Sequence, residues 1–586
     1  MRCLITAFSL AFAAAFVPTA FADPAEDFAA LVADYEAWRT ANNPIAAGQR
    51  GDLEAAARWP DASFEAAEQR VAERAAFLER LNAIEADALN GADPASYTVL
   101  RYLLEDAAAL PETMTARIPF TNDSGFHTSA SFTALSTRLR TVEEAEAWIA
   151  RINALPQALD QQIAWLQRAI DDGWTQPREI LDGVADQIDA QIVSAEESTL
   201  FMPFAGLPGS MPEAERERLR ADGLAAIETA AIPAFERLSA FFRETYIPAA
   251  RTSLGARELP GGEAFYRKLV RRHTTLEMTP EEVHQLGLSE VARIRTEMDA
   301  VIEEAGFEGT FAEFVNFLRT DPQFYAQSER ELMMVAAYLS KKADDAMPAF
   351  FNTLPRLSYG VRPVPAALAP NYTTARYWPG DADNGRAGGY MVNTYQLNQR
   401  PLYEMPALTV HEAVPGHHHQ IAIAQELEGV PEFRKQTYIT SFGEGWALYT
   451  EHLGVEMGMY ETPYEHFGRL TYEMWRACRL VVDTGIHWYG WTRDQAEACF
   501  LENSALAPFN IRNEVSRYIA WPGQALAYKP GELLIRRLRA DAAEALGEDF
   551  NLAAFHDHIL DEGALPLSAL EAKMRAWIEV QAAQAG

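Results

Sequence analysis

The chain has 586 residues, 48% of them hydrophobic and 23% charged, with a formal net charge of -33 at pH 7. Such a length and apolar content allow large buried cores. The acidic excess argues against binding nucleic acid or adhering to an anionic lipid surface. The first 22 residues read as a secretory signal, with Arg2 as a basic start, an apolar stretch from Leu4 to Val17, and Ala20-Phe21-Ala22 as a small-x-small cleavage site. Cys3 precedes the apolar stretch, which disfavours a lipid-attachment site. No later apolar run is long enough to cross a bilayer. The expectation is a secreted or periplasmic protein without membrane insertion after cleavage. Beyond residue 22 only Cys478 and Cys499 remain; one disulfide and two independent buried thiols are both compatible with that pair.

Helical signals dominate from residue 24 onward. Thr141 with Glu144 makes a capping box ahead of the apolar positions Trp148, Ile149 and Ile152. Thr279-Pro280-Glu281-Glu282 supplies a cap, a first-turn proline and a glutamate at the third position. Ser328 and Glu331 repeat the box. Phe204 to Pro212 reads as a Gly/Pro-rich loop. The stretch from Leu354 to Pro406 is richer still in proline and glycine and contains the strand-like Gly389-Tyr390-Met391-Val392-Asn393. The expected fold class is therefore mainly α, in two helical lobes, with a small hairpin or sheet close to the site. The division is a signal at 1–22, an N-terminal helical lobe over 23–255 and a catalytic helical lobe over 256–586.

The stretch His411-Glu412-Ala413-Val414-Pro415-Gly416-His417-His418-His419-Gln420 holds four of the 12 histidines. In a helical zinc site two histidines four apart share one face, and the glutamate after the first reaches the attacking water. Here His411 and His417 are six apart, roughly 240° around a regular helix. His411 and His418 share a face but lie roughly 10.5 Å apart along the axis. Pro415 and Gly416 offer a solution, because a local bulge absorbing two residues would return His417 to the face of His411. The competing expectation is that Pro415 ends a helix. Glu444 lies 27 residues after His417, enough for a helix, a turn and a returning helix. It is the expected third ligand, Glu451 being the alternative, although Ser441 and Glu444 also spell a capping box. Two imidazoles, one carboxylate and an open position favour Zn2+.

At these residues the chain resembles a bacterial family known only as domain of unknown function 885. The likeness rests on His411-Glu412-x-x-Pro415-Gly416-His417-x-x-Gln420 and Gly443-Glu444-Gly445-Trp446-Ala447. It continues through Asp483-Thr484-Gly485-x-His487, Arg517-Tyr518 and Pro522-Gly523-Gln524-Ala525-x-x-Tyr528-Lys529-x-Gly531. The resemblance implies a mostly helical zinc metallopeptidase, distantly similar to the neurolysin and angiotensin-converting-enzyme type. His411, His417 and Glu444 would hold the zinc, with His418 as the fallback second ligand. Glu412 would take a proton from the attacking water and pass it to the leaving amine. Tyr528 and His487 are the expected oxyanion donors, since similar helical peptidases use a Tyr and a His well after the metal motif. Arg517 and Lys529 are expected to hold a substrate carboxylate, the alternative being that they pair with acids of this acidic chain. Asn393 is expected beside a peptide that pairs with the Tyr390 to Asn393 strand.

The leading expectation is an exported zinc peptidase acting on short peptides. A zinc amidase or carboxypeptidase-like enzyme on another amide is the close alternative. A non-catalytic periplasmic protein binding metal or peptide is the alternative of a different class. Glu412 separates the last from the others, because a storage site has no use for a carboxylate that is not a ligand.

Overall fold

The structure is a computed structural model that describes residues 24–89, 94–366, 369–382 and 385–585. The expected signal over 1–22 lies outside the described residues. Helices dominate, and local sequence signals set many of their starts. Thr141 accepts from the Glu144 N–H at the head of α1 (Val142–Asp172), with the reciprocal bond also made. Thr279 and Glu282 do the same for α2 (Pro280–Glu304). The Ser328 side chain caps Glu329–Ala346. These boxes hold because each satisfies amide groups that a helix start otherwise leaves unpaired. The Phe204 to Pro212 stretch is only partly a loop, since Met202–Ala205 forms one helical turn.

The strand-like segment belongs to a three-stranded sheet of β1 (Tyr359–Pro363), β2 (Ala375–Trp378) and β3 (Gly388–Val392), in the order β1-β3-β2. β1 runs parallel to β3 and β2 antiparallel to it. All five residues of β3 are buried, as its central place requires.

The site-bearing helices follow the sheet. They are α3 (Met405–Glu412), α4 (His417–Glu426), α5 (Thr440–Leu453), α6 (Pro463–His487), α7 (Pro508–Ala520) and α8 (Tyr528–Leu546). α6 is buried almost throughout its length. It packs along α2 so closely that a Cβ at Gly287 would strike the Val481 backbone and the Leu480 side chain. α5 and α8 approach through Gly445 and Gly531, where a Cβ on either would meet the other backbone. One cluster of buried apolar side chains runs from Phe28 to Ile578 and includes Trp446, Tyr449 and Tyr472 around the site.

Lys529, expected at the substrate, lies in this interior instead. It is fully buried, with Glu473, Glu532 and Glu290 at 2.8, 2.9 and 3.1 Å from its Nζ. A buried ammonium holds its charge only among such partners, so Lys529 ties α2, α6 and α8 together. Cys478 and Cys499 form a disulfide, their Cα atoms 6.1 Å apart. It links α6 to the helix Arg493–Asn503. Among the described residues no helix is long and apolar enough to cross a membrane.

Candidate metal centre

The histidine segment is two helices and a turn. α3 ends at Glu412 and α4 begins at His417. The expected bulge inside one distorted helix does not form. Pro415 keeps the run from continuing unbroken, as its missing N–H dictates, and Ala413 to Gly416 form a turn between the two helices. The Ala413 N–H still bonds back to the Thr409 carbonyl (2.9 Å), and the His418 N–H to the Ala413 carbonyl (3.1 Å). Gly416 is required by space, because a Cβ there would collide with the carbonyl oxygens of Val410 and His411. α5 holds both sides of the break. The Trp446 indole N–H donates to the Pro415 carbonyl at 2.8 Å, and the Thr450 hydroxyl to the Val410 carbonyl at 3.1 Å. The turn thus achieves what the bulge was expected to do and brings His417 beside His411, ring centroids 4.8 Å apart and nearly perpendicular.

Glu444 completes the group. It sits within the early turns of α5, whose N-cap is Ile439 with no side-chain bond. The Ser441–Glu444 capping box is therefore absent, and Ser441 meets Thr275 across a hydroxyl pair at 3.1 Å. Glu444 Oε2 lies 3.5 Å from His411 Nε2 and 3.4 Å from His417 Nε2. One ligand atom from each of the three residues falls within 4.8 Å of the others. Donors bonded at ~2.1 Å to a tetrahedral zinc stand roughly 3.4 Å from one another, so the donor set fits that ion. Glu444 Oε2 and His417 Nδ1 are buried without a hydrogen-bond partner, which is uncommon for buried polar atoms.

The surroundings favour positive charge at this point. Burial opposes a proton on His411, but Glu444 and Glu451 outweigh it and lift the imidazole to about 9. Burial would likewise raise Glu444, yet His417 and His411 hold it well below the usual carboxylate range. Glu451, the alternative third ligand, sits behind His411, with Oε1 2.8 Å from Nδ1. Arg476 pairs with that carboxylate at 3.1 Å. With a cation in place of the Nε2 proton, donation from Nδ1–H to Glu451 is the tautomer a metal ligand needs.

Glu412 follows His411 but is not part of the donor group. One oxygen accepts from the Tyr377 N–H of β2 at 2.7 Å, which fixes the carboxylate in the cavity wall. That cavity measures about 820 Å³ and is lined by His411, Glu412, His417, Glu444, Arg517 and Tyr528, among others. The Tyr528 hydroxyl accepts from Gln524 Nε2 at 3.4 Å.

Three other expectations change here. His418 is buried away from the donors, its Nδ1 2.9 Å from the Tyr377 hydroxyl, and burial lowers it to about 4; it is a packing residue. His487 is fully buried and does not reach the cavity. The Ala256 N–H donates to its Nδ1 at 3.1 Å, and its Nε2 lies 2.9 Å from the Tyr518 carbonyl. Both ring nitrogens are used, so it has none to offer an oxyanion. Asn393 spends its amide on the Ala369, Tyr372 and Thr373 carbonyls (2.9–3.1 Å) and its oxygen on the Tyr395 N–H (2.9 Å). It braces the loop before β2, and β3 itself has both edges paired.

The sequence reading missed Arg376, Arg479 and Glu514 on the cavity wall. One signal was available for the arginine on α6. Arg476 and Arg479 interrupt an otherwise apolar run from Met474 to Val482, and charges on a buried helix need partners or a purpose.

Two solved structures share the fold. A protein of Colwellia psychrerythraea, described as a "putative lipoprotein", superposes with a TM-score of 0.85 at 27% identity, covering 94% of this chain and all of that one. One of Shewanella oneidensis, described as a "putative lipoprotein of unknown function", gives 0.69 at 17% identity, covering 95% of this chain and all of that one. No curated protein matches. Residues 44–574 match the family described as bacterial protein of unknown function (DUF885), and the chain belongs to that family.

Proposed function

We propose that the protein is an exported zinc-dependent peptidase that hydrolyses short peptides. The observation that carries this reading is the placing of Glu412. Three donors converge as a metal site requires, and a second carboxylate, Glu412, lines the same cavity, held by a backbone N–H. A zinc ion bound by His411, His417 and Glu444 would lower the pKa of a water and polarise the substrate carbonyl. Glu412 takes the proton from the attacking water and delivers it to the leaving amine. The Tyr377 N–H keeps that carboxylate oriented through both transfers. The Tyr528 hydroxyl, on the same wall, donates to the oxygen that gains charge as the carbonyl is attacked. Glu451 orients His411 without meeting substrate.

β2 replaces β3 as the strand that receives the peptide. It is an edge strand, and its Tyr377 N–H points outward to Glu412 rather than into the sheet. With the Tyr377 N–H committed to Glu412, an extended substrate adding to that edge would pair with its other outward backbone groups and lie beside the base. Export is supported by the signal-like N-terminus and by the description of the Colwellia protein as a "putative lipoprotein". Digestion of a mixed peptide library with and without chelator tests the reading. Cleavage that stops with chelator and returns with zinc is expected; cleavage indifferent to chelator would overturn it.

A further inference from the structure

Three arginines gather on the cavity wall around Tyr528. Arg479, from α6, stacks its guanidinium between two rings, with Cζ 4.2 Å from the Tyr528 centroid and 4.4 Å from that of Trp475. Arg517, from α7, donates to Gln524 Oε1 at 2.5 Å and Glu514 Oε2 at 2.7 Å. Arg376 enters from β2, the edge strand that also holds Glu412.

Their counter-charges are few. Glu514 Oε2 serves both Arg479 and Arg517, at 3.0 and 2.7 Å, and also accepts from the Tyr518 hydroxyl. Asp123 lies 3.5 Å from Arg376. Arg376 otherwise stacks on Tyr372 at 5.2 Å, with 43% of its side chain exposed. Arg479 Nη1 is buried with no hydrogen-bond partner. Among the described residues Glu514 and Asp123 are the carboxylates within 4 Å of these three guanidiniums, two against three, while Arg476 on the same wall has its own partner in Glu451. The chain has 83 acidic and 50 basic residues, so acids are plentiful and the imbalance is local. A buried guanidinium nitrogen without an acceptor is costly, and an anion entering the cavity would supply one. A single negative charge balances the group, and a planar carboxylate suits guanidinium geometry.

The position relates this group to the donors. Arg476 lies 3.3 Å from His411 Nδ1 through Nη2, while its Cζ is 6.0 Å from the Tyr528 centroid. One side chain therefore spans from the back of a metal-site histidine to the ring at the centre of the basic group.

We propose that Arg376, Arg479 and Arg517 form a subsite for a substrate carboxylate, so that preferred substrates carry a free carboxylate close to the amide that is cut. This rests on the peptidase reading above. The carboxylate is either the peptide's C-terminus or an acidic side chain.

The test is calorimetric binding of three peptides to zinc-supplemented Glu412→Gln protein: Ala-Ala-Phe, its C-terminal amide, and the amide of Ala-Asp-Phe. At least one carboxylate-bearing peptide should bind about ten- to hundredfold tighter than the Ala-Ala-Phe amide, which has no carboxylate. Tighter binding of Ala-Ala-Phe assigns the terminal carboxylate, and tighter binding of the Asp peptide assigns the side chain. Adding Arg376→Gln should bring the peptides to within about threefold of one another, with Arg376→Lys retaining part of the difference. Arg376 is half-exposed with one long ion pair, so the substitution costs the fold little. Equal binding of all three peptides, binding of none, or a preference untouched by Arg376→Gln would overturn the subsite. Cleavage of the same peptides by the wild-type protein is read separately. Discrimination without cleavage keeps the subsite and removes the peptidase, whereas cleavage without discrimination in binding does the reverse.

Discussion

The indole N–H of Trp446 donates to the carbonyl of Pro415 at 2.8 Å. Trp446 is fully buried on α5, two residues after Glu444, and Pro415 lies in the turn that separates His411 from His417. One bond thus joins the element carrying the carboxylate donor to the segment setting the distance between the imidazoles. Replacing Trp446 by Phe keeps most of the ring volume and removes the donor. Zinc affinity should fall about 10- to 100-fold, the range for partners that orient ligands, as read by competition with a chromophoric chelator. Unchanged affinity in a folded variant would show that the turn holds its shape without α5.

Gly416 tests the same turn by sterics. A Cβ there meets the His411 and Val410 carbonyl oxygens, both backbone and unable to yield cheaply. Gly416→Ala should lower thermal stability by about 1–3 kcal/mol or more through overpacking and backbone shift, and should weaken metal binding with it. Gly429, in the left-handed region with open space around it, is the control. Its alanine variant should lose stability through strain while leaving zinc affinity alone.

Glu412→Gln separates catalysis from binding. Gln cannot accept a proton but can still accept the Tyr377 N–H. Zinc content should stay at the wild-type level while kcat falls about 10²- to 10⁴-fold. Near-normal turnover would remove Glu412 as the base.

His487 gives a prediction about pH and stability. Burial lowers its pKa to about 3 from an ordinary value near 6.5. The unfolded chain therefore binds a proton that the folded chain refuses between those values. The group's contribution is complete above pH 6.5 and declines as pH falls toward 3, by about 1.4 kcal/mol per unit. His487→Gln preserves a donor and an acceptor without titrating. The stability gap between wild type and variant should narrow as pH drops from 7 to 4, as followed by urea denaturation. A gap independent of pH would mean that His487 is not held neutral. Because both ring nitrogens face protein partners, zinc-supplemented peptide cleavage by this variant should change little.

How far the site could be read from sequence divides along a physical line. The capping boxes at Thr141 and Thr279 were legible because donor and acceptor lie three residues apart. His411, His417 and Glu444 were legible because those side chains in that order have few other uses, even though the route was misjudged. The turn at Pro415 replaces a bulge because Trp446 and Thr450 stabilise the break from another helix, and no local pattern carries that fact. His487, Lys529 and Asn393 share one error. Whether a polar side chain is free for substrate depends on what distant chain meets it. His487 is taken by Ala256, 231 residues away, and Lys529 by Glu290 and Glu473. Arg376 was passed over for the converse reason: an arginine on a short strand looks like ordinary surface until the fold sets it on the cavity wall.

The most direct test is metal content by plasma mass spectrometry, after dialysis against zinc, of the wild type and of His411→Ala, His417→Ala, His418→Ala and Glu444→Gln. About one zinc per chain is expected in the wild type and in His418→Ala, with little in the other three. Full zinc in His411→Ala or Glu444→Gln, or its loss in His418→Ala alone, would contradict the ligand set on which the peptidase reading stands.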